Sequence, residues 1–231
     1  MRAEDTIVVK LGGSFVGSRY LAGWVDVLAN FRGRAVIVPG GGPFADAVRQ
    51  AQAKIGFKDA VAHHLALLAM EQFGQVLVSL SPRFCVADSG AAIRRSLRAG
   101  NVPVWSPVRM VLRRSEILPS WDITSDSLAA WLAGYIGARQ LVLVKHGGPF
   151  NCPVRARDLV TRGIVDRAFP RFLAVSGVPA SIVGAKAYAS TLRTLGRHSA
   201  LGIPIDLHEP VARRLLAPSW PRSKSHAGDG R

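Results

Sequence analysis

Two short apolar runs each end in a glycine cluster, and this restricts the fold more than any other feature of the chain. Thr6-Ile7-Val8-Val9-Lys10-Leu11 stops at Gly12-Gly13-Ser14, and Ala35-Val36-Ile37-Val38 stops at Pro39-Gly40-Gly41-Gly42. A β-branched, nearly all-apolar run reads as a strand covered on both faces, as in a parallel sheet. Helical periodicity follows each cluster. Leu21, Trp24, Val25 and Leu28 recur at three- and four-residue spacing within 19–31, and Pro43 opens a helix reaching about Ile55. A longer helix runs from Asp59 past Phe73, and strands over 84–87 and 102–105 flank a helix over 89–99. The second half keeps the rhythm, with helices over 124–134, 167–175 and 187–195 and strands over 141–144, 181–183 and 203–206. Strands alternating with helices imply an α/β fold: a three-layer αβα sandwich on a mainly parallel central sheet. We expect one domain over 1–217, with an N-lobe to about 118, a C-lobe over about 119–217, and a loose tail over 218–231, which is rich in Ser, Gly, Pro and charge.

Composition narrows the partners. The 231 residues are 48% hydrophobic, enough for a sizeable core. No apolar run reaches the ~18 residues of a membrane span, and the first residues carry no signal-peptide pattern. Cys85 and Cys152 stand outside any CxxC arrangement and read as free thiols, so a cytoplasmic location is expected. Thirty Lys and Arg against fifteen Asp and Glu give a net charge of +15. The arginines are scattered, without a dense run or interleaved aromatics. Attraction to small anions therefore accounts for the charge better than a nucleic-acid partner. His63 and His64 lie on a helix without partners at metal spacing and are assigned to packing or surface; no metal site is expected.

Three constellations carry chemistry. Lys10 with Gly12, Gly13 and Ser14 sits at the carboxyl end of a strand, where ligands of parallel sheets collect. Glycines there turn backbone N–H groups toward an anion without Cβ obstruction, although the same residues also suit a tight strand-to-helix turn. Gly40-Gly41-Gly42 opens a helix and joins free N–H groups to the positive end of the helix dipole. Asp46, one turn on, either faces the same site or complements that dipole. Trp121-Asp122-Ile123-Thr124-Ser125-Asp126-Ser127 reads as a helix N-terminus capped by its own hydroxyls and carboxylates, with Asp126 able to orient phosphate-binding lysines.

These glycine loops resemble the amino-acid kinase superfamily, which includes acetylglutamate, uridylate and aspartate kinases. The run 118–127, with 69–74, 163–166 and 181–184, resembles its branch that phosphorylates (aminomethylfuranyl)methyl phosphate in methanofuran-type one-carbon cofactor biosynthesis. The resemblance implies an ATP-dependent phosphotransferase with Mg²⁺ arriving on the nucleotide, a small-molecule phosphate substrate, and a homo-oligomer. It assigns Lys10 and Asp126 to catalysis, and Gly12, Gly13, Ser14, Gly40, Gly41, Gly42, Asp122, Thr124 and Ser125 to phosphate or substrate. Lys145, His146, Gly147 and Lys186 are expected at the nucleotide. The chain departs from the family after 141–144, reading Lys145-His146-Gly147-Gly148-Pro149-Phe150-Asn151 where a Thr-Asp-x-x-Gly loop is usual. Lys145 and Lys186 are both open as the second phosphate-binding lysine. A non-catalytic binding or regulatory protein on the same fold is the alternative that this departure suggests.

Overall fold

The computed structural model describes residues 6–31, 34–148, 150, 153–188, 191 and 201–207. Eight strands form one sheet: β1 (Thr6–Leu11), β2 (Arg34–Pro39), β3 (Phe84–Ala87), β4 (Val102–Trp105), β5 (Gln140–Lys145), β6 (Val154–Arg155), β7 (Ala180–Gly184) and β8 (Ile203–Asp206). Their order is β3-β4-β2-β1-β5-β7-β8-β6. The pairs β1/β2, β2/β4, β3/β4, β1/β5, β5/β7 and β6/β8 are parallel. Among the described residues only β7/β8 is antiparallel. The helices are α1 (Leu21–Ala29), α2 (Gly42–Ile55), α3 (Asp59–Ser79), α4 (Gly90–Arg98), α5 (Val108–Val111), α6 (Ser125–Ile136), α7 (Ala156–Thr161) and α8 (Phe169–Ser176).

Side chains alternate across a strand with period two, so each buried strand feeds two cores. Ile7, Val9 and Leu11 pack with Trp24 and Leu28 of α1 and with Phe73 and Leu77 of α3. Val8, Val36 and Val38 face the other way, onto Leu128 of α6 and Phe169 and Leu173 of α8. A sheet with helices on both faces is the expected three-layer αβα sandwich. Trp24 Nε1 donates to Ala185 O at 2.9 Å and ties α1 to the end of β7.

Helix stops follow local chemistry. Gly56, Gly137 and Gly177 close α2, α6 and α8 with φ of +79°, +64° and +64°, a region glycine enters without a Cβ penalty. Three expected boundaries move. The helix expected from 167 begins at Phe169, and the strand expected over 141–144 extends through Lys145. The helix expected over 187–195 is described only at its start, where Ala185–Ala187 forms a 3-10 turn. Residues 192–195, Pro149, Asn151, Cys152 and the tail over 218–231 lie outside the described residues. The short elements α5, β6 and α7 were not anticipated, because four-, two- and six-residue segments carry too few positions for periodicity to register.

Candidate active site

Period-two alternation decides where two lysines point. Val8 faces α6, so Lys10 two residues later faces it too; Leu141 and Leu143 share that face, so Lys145 does as well. Strands β1 and β5 are neighbours, with Lys10 beside Leu143, which brings both lysines to one edge. Helix α6 begins above that edge and places Asp126 in its first turn. Asp126 Oδ1 lies 2.8 Å from Lys10 Nζ, and Oδ2 lies 2.7 Å from Lys145 Nζ. The Lys145 contact is a hydrogen bond. The Lys10 contact is a close ion pair. Lys10 and Asp126 are deeply buried, 4% exposed each, and the Lys145 side chain is 13% exposed.

The three charges reset one another. Burial alone would raise the Asp126 pKa, but the Lys10 and Lys145 ammonium groups overcome it and hold the carboxyl at about 2. Burial, with repulsion from Lys10, outweighs attraction to Asp126 and brings Lys145 down to about 8. The cluster carries two positive charges around one negative, a net +1 set in low dielectric at the carboxyl ends of β1 and β5.

The α6 N-terminus is held from a distance. Thr124 occupies the cap position, yet its side chain does not accept from the helix. Instead Asp166, between α7 and α8, accepts from Thr124 N at 2.9 Å, Thr124 Oγ1 at 2.8 Å, Ser127 N at 3.0 Å and Ser127 Oγ. This corrects the expectation that residues 121–127 cap themselves. Burial and the nearby Asp126 push Asp166 up, while these hydrogen bonds pull the other way. Asp166 thus positions Asp126. The sequence reading missed that role, since a capping partner forty residues away leaves no local pattern.

The two glycine loops touch backbone to backbone. A Cβ on Gly13 would fall on Gly42 N, and one on Gly40 would fall on Gly13 N. Gly42 has φ +53°, and a Cβ there would lie 2.5 Å from Gly13 O. Gly40 N donates to Leu11 O at 2.9 Å and Gly12 N to Val144 O at 3.4 Å, so these two N–H groups serve the fold. A Cβ on Gly12 would sit 3.8 Å from Lys10 Nζ, which puts the first loop directly over the lysine.

Three hollows surround this centre. A central cleft of about 650 Å³ has Lys10, Gly12, Asp126 and Lys145 at its base, with Asp122 and Thr124 on one side and His146 and Gly147 on the other. A second cavity of about 400 Å³ lies between α2, α3 and the start of α6; Gly41, Gly42, Asp46 and Ser125 line it. Gly13, Ser14 and Thr124 border both hollows. A third, of about 960 Å³, runs beyond the end of β7 and contains Lys186, again with His146 and Gly147. The structure therefore separates the two lysines left open by the sequence: Lys145 sits on Asp126, and Lys186 lines the third hollow. His146 bridges hollows, its Nε2 2.8 Å from Ser18 Oγ and its ring against Phe15 and Tyr20.

Arg49 was overlooked. It lines both the cleft and the α2–α3 cavity, and its guanidinium stacks 4.3 Å from the centroid of the Trp121 ring. Its signal was present: it follows Gly42 by seven residues and so shares that face of α2.

The sequence profile of the amino acid kinase family matches residues 5–147. The (5-(aminomethyl)furan-3-yl)methyl phosphate kinase of Methanocaldococcus jannaschii is 25% identical over 177 residues, spanning 72% of this chain and 82% of that protein. Uridylate kinase from Archaeoglobus fulgidus superposes with a TM-score of 0.65 at 18% identity, covering 87% of this chain and 99% of that one. Aspartate kinase from Synechocystis gives 0.62 at 13% identity, over 92% of this chain and 41% of that one. At those identities the two structures speak for the fold.

Proposed function

As this chain belongs to the amino acid kinase family and is a phosphotransferase, we propose that it transfers the γ-phosphoryl group of ATP to a small phosphomonoester, (5-(aminomethyl)furan-3-yl)methyl phosphate or a near analogue. The observation that carries this reading is the commitment of the central carboxylate. Asp126 already holds two ammonium groups at 2.8 and 2.7 Å and stays ionised, so it is not free to take a proton from an acceptor. An alcohol acceptor relies on such a base. A phosphate monoester does not, because its second ionisation near pH 6 leaves an anionic oxygen ready to attack. That oxygen bonds to the γ-phosphorus, the bond from the γ-phosphorus to the β–γ bridging oxygen breaks, and the electron pair leaves with ADP. The relative from M. jannaschii, named for a phosphomonoester acceptor, supports the same choice.

Bound ATP supplies the phosphoryl group; the chain supplies position and charge. Lys10 and Lys145 neutralise the moving oxygens, and the loops at Gly12-Gly13 and Gly41-Gly42 keep donors and acceptor in register. Ser14, Asp122, Thr124 and Ser125 border the path between the cavity and the cleft. The acceptor lies in the α2–α3 cavity, chiefly on the N-lobe to about 118, and the nucleotide lies along His146, Gly147 and Lys186. Among the described residues no group of three His, Cys, Asp or Glu could hold a metal. Asp126 and Asp166 are already engaged. Mg²⁺ would arrive on the nucleotide, held mostly by phosphate and water.

Incubation with ATP, Mg²⁺ and the aminomethylfuran phosphate tests the assignment. ADP should accumulate in proportion to a new diphosphate, and ATP use without a diphosphate would refute it. A second result concerns pH. Lys145 is brought down to about 8 in the free protein, so kcat/KM should fall on an alkaline limb near that pH. In Lys145→Arg the charge persists, since a guanidinium titrates above ~12, and the limb should move up by about one unit or more. An unmoved limb excludes Lys145 as its source. Stability runs the other way: the folded pKa lies below the ordinary lysine value, so unfolding takes up a proton between about 8 and 10.5, and the cost of burying this ammonium is relieved as pH rises through that window.

We also propose a homo-oligomer, the second copy packing along α3. Val61, Leu65, Leu68 and Val76 form one exposed apolar stripe on that helix. Among the described residues no helix is long and apolar enough to cross a membrane. Sedimentation velocity should show a dimer or larger species that Leu68→Glu converts to monomer; a wild-type monomer would end this part.

A further inference from the structure

The inner end of the α2–α3 cavity carries polar groups that phosphate chemistry does not use. His63 lines it among Ala62, Ala66, Leu67 and Met70, is 6% exposed, and has its Nε2 buried with no hydrogen-bond partner among the described residues. A buried polar atom left unmade costs roughly 1–3 kcal/mol, so such atoms call for a partner that the chain alone does not provide. The packing role expected from sequence does not account for it.

A second observation points to the same place. In a chain of net charge +15, this cavity still has two acids on its wall, Asp46 and Asp59. Asp59 stands four residues before His63, one turn away on the same face of α3. Its carboxylate is steadied by Gln52 Nε2, which donates to Oδ1 at 2.9 Å. Asp46 is shared loosely with Arg49 at 3.7 Å. The cavity thus has glycine N–H groups near Gly41 and Gly42, an apolar waist, and on α3 a carboxylate with an imidazole whose Nε2 has no partner among the described residues.

We infer that His63 and Asp59 are specificity residues that receive a primary ammonium group on the acceptor, His63 Nε2 and the Asp59 carboxylate each accepting one of its hydrogens. The inference rests on the phosphomonoester reading above and deepens it: the substrate class becomes a small, flat, apolar phosphomonoester with a cationic amine at the end remote from phosphate. Burial, reinforced by the neighbouring His64, lowers the His63 pKa, which keeps the ring neutral and a nitrogen lone pair on offer. A hydrogen bond to a charged partner is strong enough to discriminate, because the analogue lacking the amine leaves both acceptors unmatched.

The test compares (5-(aminomethyl)furan-3-yl)methyl phosphate with the same phosphate bearing methyl in place of aminomethyl, by kcat/KM and by calorimetric binding without ATP. Wild type should favour the amine by about a hundredfold. His63→Leu should lose about tenfold on the amine acceptor and nothing on the methyl one, and His63→Gln, which keeps an acceptor, should recover part of the loss. Asp59→Asn, at an exposed position, should narrow the same preference with the melting temperature unchanged, so the inference survives any folding defect at His63. Equal binding of the two phosphates by wild type, or equal losses on both in His63→Leu, would overturn it. If wild type phosphorylates neither compound, the kinase assignment of the acceptor falls, and calorimetry still decides the amine: binding that requires the amine and His63 supports the inference, and binding indifferent to both refutes it.

Discussion

Replacing Asp126 with alanine should lower turnover by about a thousandfold or more and destabilise the fold by about 3–5 kcal/mol. Both effects have one cause. Lys10 and Lys145 are buried against a single carboxylate at 2.8 and 2.7 Å, and its removal leaves two desolvated ammonium groups facing each other. Breaking a buried pair from one side strands the remaining charge, which costs more than the pair contributed. Lys145, already down to about 8, should then lose its proton near neutrality, and with it half of the positive charge offered to the phosphoryl group. Asp126→Asn keeps shape and one acceptor but not charge, so it should fall between alanine and wild type. Urea unfolding with steady-state kinetics reads both quantities. The sign in pH follows from a folded pKa of about 2, below the ordinary carboxylate value: the stabilisation is complete above that ordinary value and lost as pH falls toward 2. The difference between wild type and variant should therefore shrink in acid. An Asp126→Ala protein that turns over and unfolds like wild type would show that the cluster has no catalytic or structural weight.

Gly13→Ala should be the most damaging single-methyl change in the site. The added Cβ would fall on Gly42 N and Cα, so one glycine loop must move off the other. Overpacking against side chains costs about 1–3 kcal/mol; here the obstacle is backbone, which cannot rotate away, and a loss near the top of that range or above is expected. A shift of about 1 Å between groups that must align donor and acceptor lowers the rate by about a hundredfold. Gly147→Ala is the control. Its Cβ would meet nothing within 4 Å, so stability should hold within about 0.5 kcal/mol. Thermal unfolding of the two variants side by side checks the contrast, and a Gly13→Ala protein as stable as Gly147→Ala would show that the loops need not touch.

These two cases mark what the chain discloses before its structure is seen. The strands were legible because Thr6–Leu11 and Arg34–Pro39 are covered on both faces and read as continuous apolar runs. The glycine loops were legible as anion-binding candidates. Their mutual contact was not, because nothing in a run of glycines says which other backbone it must touch. Asp126 was legible as an organiser of lysines, but Lys145 and Lys186 could not be separated without the register that sets Lys145 beyond Leu143 on the α6 face. Asp166, Arg49 and His63 carried the weakest signals. Asp166 acts across forty residues, Arg49 looks like any exposed arginine on a helix, and His63 looks like a packed histidine until its Nε2 proves to have no partner among the described residues. Local propensity discloses elements; the chemistry of this site lives in contacts between elements.

Lys10→Ala isolates the central claim, because it removes one cation while leaving the Asp126–Lys145 hydrogen bond in place. Its kcat at saturating ATP and phosphomonoester should fall by about a hundredfold, near 3 kcal/mol of transition-state stabilisation, with little change in melting temperature. A variant that turns over at the wild-type rate would contradict the account.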